Sequence, residues 1–489
     1  MEQKKKTNSN EIPDSAFRQY LAAVLATLGA LAMGTTLSWT SPALPLLQDP
    51  ASPLPVTNEQ GSWIASLLTL GAFMGAIPAG EIAIYLGPKR TLQLTTIPFI
   101  VTWITIAYSP NVILLYIARL VAGLVVGLIC VAAPMYITDL AEPRIRGSLG
   151  GFFQLQVTIG LLVEYILGSV EKSFTYLALI SAILPALHLI TFSFMPESPV
   201  YLTAKGKIDD ARKSLQWFRG KSYDVEDELF RIHESITEAA RNKAGLSDLI
   251  RSKAASKALV ISLALMLFQQ LSGVNAVLFY AEKIFKDSGS KMSPNMCAIF
   301  IGTMQVVATY VSTLLVDRAG RKILLIISSS VMAVCSCSLG IYFYLKTITD
   351  VSNLSFLPLI SLTIFIIVFS IGFGPIPWMI SGELFTPEFK GRACSIAAAF
   401  NWTLAFAVTK LFSTLVQCFG AGITFGIFSA ISFFGAVFCI IVVPETKGKT
   451  MEEVQVLLGG SATLNDVENQ KPIITLQNKT GDSTVRNEK

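Results

Sequence analysis

Twelve long apolar segments, separated by polar stretches, dominate this sequence and limit what it can fold into. A helix needs about 20 mostly apolar residues to cross a bilayer, and many of the segments approach or exceed that length. Charged residues make up 15% of the chain, whereas soluble globular proteins carry about 25%. We therefore predict an all-α membrane protein embedded in the lipid bilayer. The predicted transmembrane helices are 20–46, 63–86, 92–108, 114–137, 149–168, 174–195, 258–280, 298–316, 323–345, 357–380, 393–418 and 423–443.

Polar stretches divide the chain into five parts. A tail at 1–19 precedes the first six apolar segments, which fill 20–200. A charged loop at 201–257 follows, and its pieces 207–219 and 224–242 have the pattern of short amphipathic helices. The second six segments fill 258–445, and a polar tail covers 446–489. We expect two six-helix bundles joined by a helical loop.

Lysine and arginine are distributed unevenly between the two ends of the predicted bundles. They are frequent in the N-terminal tail, in the loops after even-numbered segments and in the central loop, whereas the opposite loops hold scattered lysines. Basic residues concentrate on the cytoplasmic side of membrane proteins, so both termini are predicted to be cytoplasmic. The sequon at Asn353 then faces outside, where it can accept a glycan.

An internal repeat relates the two sets of six segments. Each set has an acid seven residues before a basic residue and a glycine, and each ends in a Pro-Glu pair. These patterns occur at 139–147 and 383–391, and at 196–199 and 444–447, with offsets of 244 and 248 residues. Parallel repeats of this kind place a ligand site between two pseudo-symmetric bundles near the bilayer midplane.

Three carboxamides lie inside the seventh apolar segment, which holds no charged residue. They are Gln269, Gln270 and Asn275, and their spacing of five and six residues allows Gln270 and Asn275 to share a broad face of a helix. Each amide offers two donors and an acceptor without a charge, which suits a neutral molecule rich in hydroxyl groups. Asn and Gln also bond across membrane helices as packing contacts, and this segment alone does not separate the two interpretations.

Eight short motifs occur in order along the chain and at the ends of its segments. They are RLVAG (119–123), PMY (134–136), RG (146–147), PESP (196–199), QQLSGVN (269–275), DRAGRK (317–322), GFGPIPW (372–378) and PETKG (444–448). Each is modest evidence, but together they resemble the motifs of the sugar porter family of the major facilitator superfamily, and the resemblance covers almost the whole chain apart from its tails. Three further motifs, TSPAL (40–44), NW (401–402) and TK (409–410), resemble within that family the insect-type facilitated trehalose transporters.

The resemblance implies the major facilitator fold, with twelve helices in two six-helix bundles and a central sugar site. Gln305 stands where glucose-transporting relatives usually have Asn, which puts glucose specificity in doubt. The alternative roles are helix packing for the amides and an interfacial position for the tryptophan, which lies well inside its apolar run. The implied substrate-binding residues are Gln154, Gln269, Gln270, Asn275, Gln305, Trp378 and Asn401.

The same resemblance implies moving parts. Phe279 and Tyr280 match an outer aromatic gate, although ordinary packing explains aromatics there equally well. Pro375 and Pro377 interrupt backbone hydrogen bonding, which is tolerated where a segment lines a cavity, so the tenth segment is expected to bend over the ligand.

Charged residues at the predicted inner ends form a candidate ion-pair network. Such pairs can hold the two bundles together when the inner side is closed and separate when it opens. Anchoring by basic residues is the alternative, but anchoring does not need the acids. The network comprises Asp139, Arg146, Glu197, Asp317, Arg318, Arg321, Glu383, Lys390 and Glu445.

These observations predict facilitative uniport of a neutral sugar, with trehalose as the first choice and glucose or another hexose as the alternative. Proton-driven relatives carry an acid in the first segment near Arg119, and here 20–46 has none. Glu164 and Lys410 are expected in the outer third of their segments, in a water-lined vestibule. A proton-coupled symporter and a sugar sensor that barely transports remain alternatives.

Other classes of function lack support in the sequence. An enzyme is not expected, because no acid–base pair, metal cluster or nucleotide loop is evident. We expect no cofactor, metal or nucleic acid, and we expect a functional monomer in the plasma membrane. The acidic dileucine-like stretch at 453–458 leaves an endosomal pool as an alternative.

Overall fold

A computed structural model describes residues 14–142, 145–220, 223–241, 246–289, 292–449 and 451–459. Side chains within these ranges are described except at 14–15, 146–148, 238–241, 246–248, 317, 352, 387–388, 390 and 451–452. Every regular element of the described chain is a helix, in agreement with the predicted all-α class. The predicted network members Arg146, Asp317 and Lys390 therefore lie outside the described side chains.

The first half contains six membrane spans. Span 1 consists of two helices that meet at Trp39, and span 6 of two helices that meet at Ala182. In order, spans 1 to 6 are Asp14–Ser38 with Thr40–Leu47, Asn58–Leu86, Pro88–Ala107, Val112–Leu140, Arg146–Val170, and Phe174–Ser181 with Ile183–Phe192.

Short helices fill the loop between the halves. They are Pro199–Ala204, Ile208–Arg219, Glu226–Arg241 and Leu246–Arg251, so the two predicted amphipathic helices are confirmed to within a few residues. The second of the four docks on the first half, because Arg18 and Gln19 of span 1 donate to the carbonyls of Trp217 and Phe218.

The second half also contains six spans, and two of them, spans 7 and 10, consist of two helices each. Gly420, at φ +81°, separates spans 11 and 12 within the stretch Pro387–Ile441. Helix Ala281–Ser288 follows span 7, and the turn Ser352–Leu354 precedes span 10. In order, spans 7 to 10 are Lys253–Leu271 with Val274–Phe279, Pro294–Ala319, Arg321–Lys346, and Leu357–Ile371 with Ile376–Glu383.

Ten stretches of the described chain are long and apolar enough to cross a membrane, and the last of them holds both span 11 and span 12. Span 3 is the twelfth helix. Its threonines and the basic pair in its first turn lower its hydropathy. The twelve predicted helices are thus present, with ends shifted by a few residues.

Backbone contact between spans 2 and 4 depends on small residues. A Cβ atom added to Gly71 would lie 2.1 Å from the carbonyl oxygen of Leu120, and one added to Gly123 would lie 2.1 Å from that of Leu68. Side chains larger than hydrogen would force these helices apart, so both glycines serve the close packing typical of membrane helices.

The internal repeat is visible at the end of the molecule that we predict to be cytoplasmic. The Glu197 carboxylate accepts hydrogen bonds from the backbone N–H groups of Lys89 and Arg90 at the start of span 3. The Glu445 carboxylate accepts equivalent bonds from Arg321 and Lys322 at the start of span 9. Each Pro-Glu motif therefore caps the first turn of a helix of its own half.

The two capping carboxylates differ in their electrostatics. Burial raises the pKa of Glu197 against the opposing effect of its backbone hydrogen bonds. Burial also tends to raise the pKa of Glu445, but hydrogen bonds from backbone N–H groups together outweigh burial and hold this pKa below its usual value. The same motif therefore sits in a drier environment in the first half.

Candidate functional site

A break in span 7 organises the predicted amide cluster. Helix Lys253–Leu271 ends at Ser272, and Gly273 adopts φ +88° before the helix resumes at Val274. A Cβ atom at Gly273 would lie 2.4 Å from the Phe428 ring, so both the backbone conformation and the packing require glycine here. The continuous helix predicted for 258–280 is therefore wrong at this point.

The break explains why Gln270 and Asn275 meet. On an uninterrupted helix, residues five apart point about 140° away from each other. In the structure the Asn275 Nδ2 atom donates to Gln270 Oε1 at 2.6 Å. The two residues do meet, but they do not share a helix face as expected. The turn at Gly273, and not their spacing, brings them together.

A chain of hydrogen bonds continues from this pair into spans 11 and 10. Gln270 Nε2 donates to Asn401 Oδ1 at 2.9 Å, and Asn401 Nδ2 donates to Gln269 Oε1 at 2.6 Å. Gln269 Nε2 then donates to the carbonyls of Phe373 and Gly374, at 2.6 and 2.9 Å. Four carboxamides thus form one uncharged network, which we call the amide relay (Asn275, Gln270, Asn401 and Gln269).

The relay is buried at one end and accessible at the other. Gln269, Gln270 and Asn401 are buried, whereas Asn275 is half-buried. Gln269 ends on the carbonyls of the broken part of span 10, between Ile371 and Ile376, where Pro375 was predicted to interrupt backbone hydrogen bonding. Backbone carbonyls that lack helical partners are tolerated inside a membrane protein where side chains donate to them, as Gln269 does here.

The remaining predicted binding residues differ in their burial. Gln305 of span 8 is buried, and its Oε1 atom has no hydrogen-bond partner among the described residues. Gln154 of span 5 is half-buried. Trp378 is 41% exposed and stands one helical turn after Gly374. Among the described residues, Gln305 thus keeps an unpaired acceptor and Trp378 keeps an exposed ring.

Phe279 and Tyr280 lie between the relay and the end of the molecule that we predict to be the outer one. Thr40 donates to the Phe279 carbonyl at 3.3 Å, and Tyr280 donates through its hydroxyl to the Thr409 carbonyl at 3.3 Å. The Tyr280 ring packs on Phe412, with centroids 5.3 Å apart. The two aromatics thus contact span 1 of the first half and span 11 of the second.

A polar vestibule opens above these aromatics. Its volume is about 370 Å³, and Phe279 and Tyr280 form part of its wall. The rest of its lining comes from both halves and includes Thr40, Ser41, Gln48, Asp49, Asn58, Lys283, Lys286 and Asp287.

The halves meet at this predicted outer end through further contacts that sequence analysis missed. Tyr165 of span 5 donates to the Leu278 carbonyl at 2.8 Å. Lys410 of span 11 forms an ion pair of 2.5 Å with Glu59 of span 2, and its ammonium lies 4.4 Å from the centre of the Trp63 ring. Lys410 belongs to the TK motif at 409–410, but no motif points to its partner, because each contact joins unrelated positions of the two halves.

At the predicted cytoplasmic end, the described network members bond within their own half. Ser198 donates to Asp139 in the first half. In the second, Arg321 pairs with Glu383 at 3.1 Å, and Lys447 donates to the Arg318 carbonyl. These bonds tie the ends of spans to each other inside each bundle.

Glu164 is not in the water-lined vestibule that the sequence analysis expected. It is fully buried, accepts a hydrogen bond of 2.8 Å from Ser181, and leaves Oε1 without a partner among the described residues. Arg119, also fully buried, donates to the carbonyls of Ile64 and Thr36 and is attracted by the Glu164 charge. A buried acid is therefore present in span 5, although the sequence analysis looked for one only in span 1.

Comparisons with known proteins agree on one family. The family model described as "Sugar (and other) transporter" matches residues 15–458. The chain is 39% identical over 462 residues to a facilitated trehalose transporter of Culex quinquefasciatus, covering 94% of this chain and 89% of the relative. It is 39% identical over 466 residues to the corresponding protein of Polypedilum vanderplanki, covering 94% and 92%. Other relatives are longer, and the chain spans 58% of the one from Aedes aegypti.

Solved structures show the same architecture. A proton:xylose symporter, XylE, bound to 6-bromo-6-deoxy-D-glucose matches with a TM-score of 0.75 and 26% identity, over 91% of this chain and all of that one. The inward-open conformation of XylE from E. coli matches with a TM-score of 0.74 and 25% identity, over 89% and 98%. The matched proteins are transporters and not enzymes, and the predicted major facilitator fold is confirmed.

Proposed function

We propose a transport mechanism from the premise that this chain belongs to the sugar (and other) transporter family. It carries a neutral sugar across a membrane by alternating access, without covalent chemistry. The observation that carries this proposal is the amide relay, a connected set of four uncharged carboxamides on broken helices.

The relay supports a sugar because its free groups match hydroxyl chemistry. Asn275 uses one amide N–H on Gln270 and keeps its carbonyl and a second N–H for a ligand. Gln305 offers an acceptor that has no partner among the described residues. A buried polar group without a partner costs about 1–3 kcal/mol, so a hydroxyl that reaches Gln305 is favoured.

Trp378 contributes an apolar surface beside this polar one. In our proposal its exposed ring lies against the C–H face of the sugar, and Gln154 approaches from the first half. Phe279 and Tyr280 cover the site on the predicted outer side, while Pro375 and Pro377 let span 10 bend. These assignments rest on the geometry above and on the family resemblance.

Alternating access is supported by the different contacts at the two ends. Bonds between the halves occur at the predicted outer end, and the described ion pairs of the predicted cytoplasmic end lie within one half. We infer that the structure is closed on the outer side. In the opposite state the network residues, including Arg146, Asp317 and Lys390, connect the bundles on the inner side.

Trehalose is the proposed substrate because several relatives are named for its facilitated transport. A glucose or hexose facilitator is the second candidate, and Gln305 decides between them, since its side chain reaches farther than the Asn usual in glucose transporters. A sensor that binds sugar without transport is distinguished by uptake itself.

A proton-coupled symporter has one observation in its favour. The buried Glu164 is a titratable group inside the membrane, and such groups are functional candidates by default. We nevertheless propose uniport, because residues 20–46 of span 1 contain no acid and the trehalose transporters above are named as facilitated.

The proposed setting is the plasma membrane, with both termini cytoplasmic and the protein acting as a monomer. Asn353 is exposed, in the turn before span 10, which supports its use as a glycan site. Loss of a mobility shift after glycosidase treatment of the Asn353→Gln variant tests both this site and the orientation.

Transport is tested with purified protein in liposomes by uptake of labelled trehalose and glucose. The proposal predicts saturable uptake of trehalose that unlabelled trehalose inhibits. Sugar binding without uptake would favour the sensor and contradict transport.

A further inference from the structure

Glu282 is a buried acid at the predicted outer gate that the transport mechanism does not use. It stands two residues after Tyr280, in the first turn of helix Ala281–Ser288. Only 5% of its surface is exposed, and its Oε1 atom has no hydrogen-bond partner among the described residues. A carboxylate outside the membrane spans would ordinarily be hydrated, so its burial here needs an explanation.

The burial of Glu282 is produced by contact between the two halves. Its backbone N–H donates to the Ser41 hydroxyl of span 1 at 3.2 Å. The preceding residue, Ala281, packs in one cluster with Tyr165 of span 5 and Ala298 of span 8. Separation of the halves at this end would remove the first-half side of this enclosure and let water reach the carboxyl group.

Few charges surround the group. Lys172, in the loop between spans 5 and 6, is the cation that attracts it, and Tyr165 of span 5 is a titratable group that interacts with it. In span 8, residues 294–316 include Cys297 but no charged residue. The segments 40–47 of span 1 and 357–371 of span 10 contain no charged residue either. On its own helix the charged residues are Lys283, Lys286 and Asp287.

This environment changes the proton affinity of the carboxyl group. Burial raises the pKa of Glu282 to about 7, with Lys172 acting in the opposite direction. After exposure to water the pKa returns toward its ordinary value of 4.5, because hydration favours the charged form.

We propose that Glu282 is a proton-binding site whose occupancy is linked to closure of the predicted outer gate. It binds a proton when the halves close over it and releases the proton when they part. The inference rests on the alternating access proposed above.

The direction of the pH effect follows from linkage. Glu282 has its higher pKa in the closed state, so proton binding stabilises that state relative to the open one. This stabilisation is fully present below the open-state pKa of Glu282 and is lost as the pH rises through about 7. With a pKa of about 7 in the closed state and 4.5 in the open state, lowering the pH from 8 to 6 raises the ratio of closed to open molecules about tenfold.

The test measures closure directly in the full chain in lipid nanodiscs. Spin labels are attached at Tyr108→Cys and Ile348→Cys, two exposed positions on opposite halves at the predicted outer end, after the native cysteines are replaced. Pulsed electron resonance then gives the populations of short and long distances at pH 8 and pH 6. We expect the ratio of short to long distances to rise about tenfold.

Three variants make the measurement specific. Glu282→Gln should show the closed-rich distribution at both pH values, and Glu282→Asp should keep a pH response. Asp49→Asn removes an exposed vestibule acid and should respond as the parent does. An unchanged pH response in Glu282→Gln, or no response in the parent, would overturn the proposal.

Sugar uptake by the same proteins separates this proposal from the proposed function. Normal uptake with pH-independent distances contradicts the Glu282 site and leaves transport intact. A pH response that depends on Glu282, with no sugar uptake at any pH, supports the proton site and contradicts transport.

Discussion

Asn401 of span 11 donates a hydrogen bond of 2.6 Å to the side-chain carbonyl of Gln269 in span 7. Through its own carbonyl it accepts a second bond, from Gln270. One side chain therefore joins the two glutamines that precede the break in span 7 and fixes their orientation. Polar networks of this kind are stable when every member is satisfied and costly when one is removed.

Replacing Asn401 with alanine should reduce sugar uptake about tenfold or more. The change leaves buried amide groups of Gln269 and Gln270 without partners, at about 1–3 kcal/mol for each lost bond. Thr403→Ala is the matched control, because Thr403 is exposed on the same helix and, within the described part of the chain, its hydroxyl donates to the Ala399 carbonyl alone. Uptake by Asn401→Ala within twofold of the control would contradict the role of the relay.

Removing the Trp378 ring should weaken apparent sugar affinity. Aromatic contacts of this type contribute about 0.5–1.5 kcal/mol beyond burial, so we expect Trp378→Ala to raise KM about three- to tenfold while Trp378→Tyr retains most of the affinity. The control is Trp402→Phe, which alters a buried tryptophan of span 11. The stacking role is wrong if KM is equally affected in the control.

Shortening Gln305 should change which sugar is preferred. Gln305→Asn restores the residue usual in glucose-transporting relatives, and one methylene of reach is worth about 1–3 kcal/mol in a fitted site. We expect the ratio of trehalose to glucose uptake to fall by about fivefold or more. Competition between the two labelled sugars measures this ratio, and an unchanged ratio would exclude Gln305 as a specificity determinant.

The break in span 7 gives a prediction about stability. Gly273→Ala places a Cβ atom 2.4 Å from the Phe428 ring at a residue with φ +88°, so the helix must shift. Gly289→Ala has a similar left-handed backbone (φ +74°, ψ +31°), and its new Cβ would meet only the end of the flexible Lys346 side chain, at 3.2 Å, so it should cost only about 1–2 kcal/mol for the backbone conformation. Thermal unfolding in detergent should rank Gly273→Ala as clearly the less stable variant; equal stabilities would refute the packing argument.

Much of the fold could be predicted from the sequence because the bilayer imposes simple requirements. Apolar length located the twelve helices, and the repeated Pro-Glu motifs predicted two related bundles. In the structure Glu197 and Glu445 perform the same capping role in each half. Family motifs also identified Gln269, Gln270 and Asn401, which form one connected set.

The rest depends on contacts between positions that no local pattern relates. An apolar run reads as one continuous helix, so the break at Gly273 was missed although the glycine itself is visible. The burial of Glu164 and Glu282 depends on which helices pack over them. Hydropathy alone does not show this packing and favours a water-exposed position for an acid. The ion pair of Glu59 with Lys410 requires the closure of two halves that the sequence describes separately.

Uptake of labelled trehalose and glucose into liposomes, with and without a pH gradient, tests the central claim most directly. We predict that trehalose enters through the purified protein until its concentrations inside and outside are equal, and that a pH gradient does not raise this level. Accumulation above the external concentration under an inward proton gradient, abolished in Glu164→Gln, would contradict uniport. Uptake of glucose without trehalose would contradict the proposed substrate.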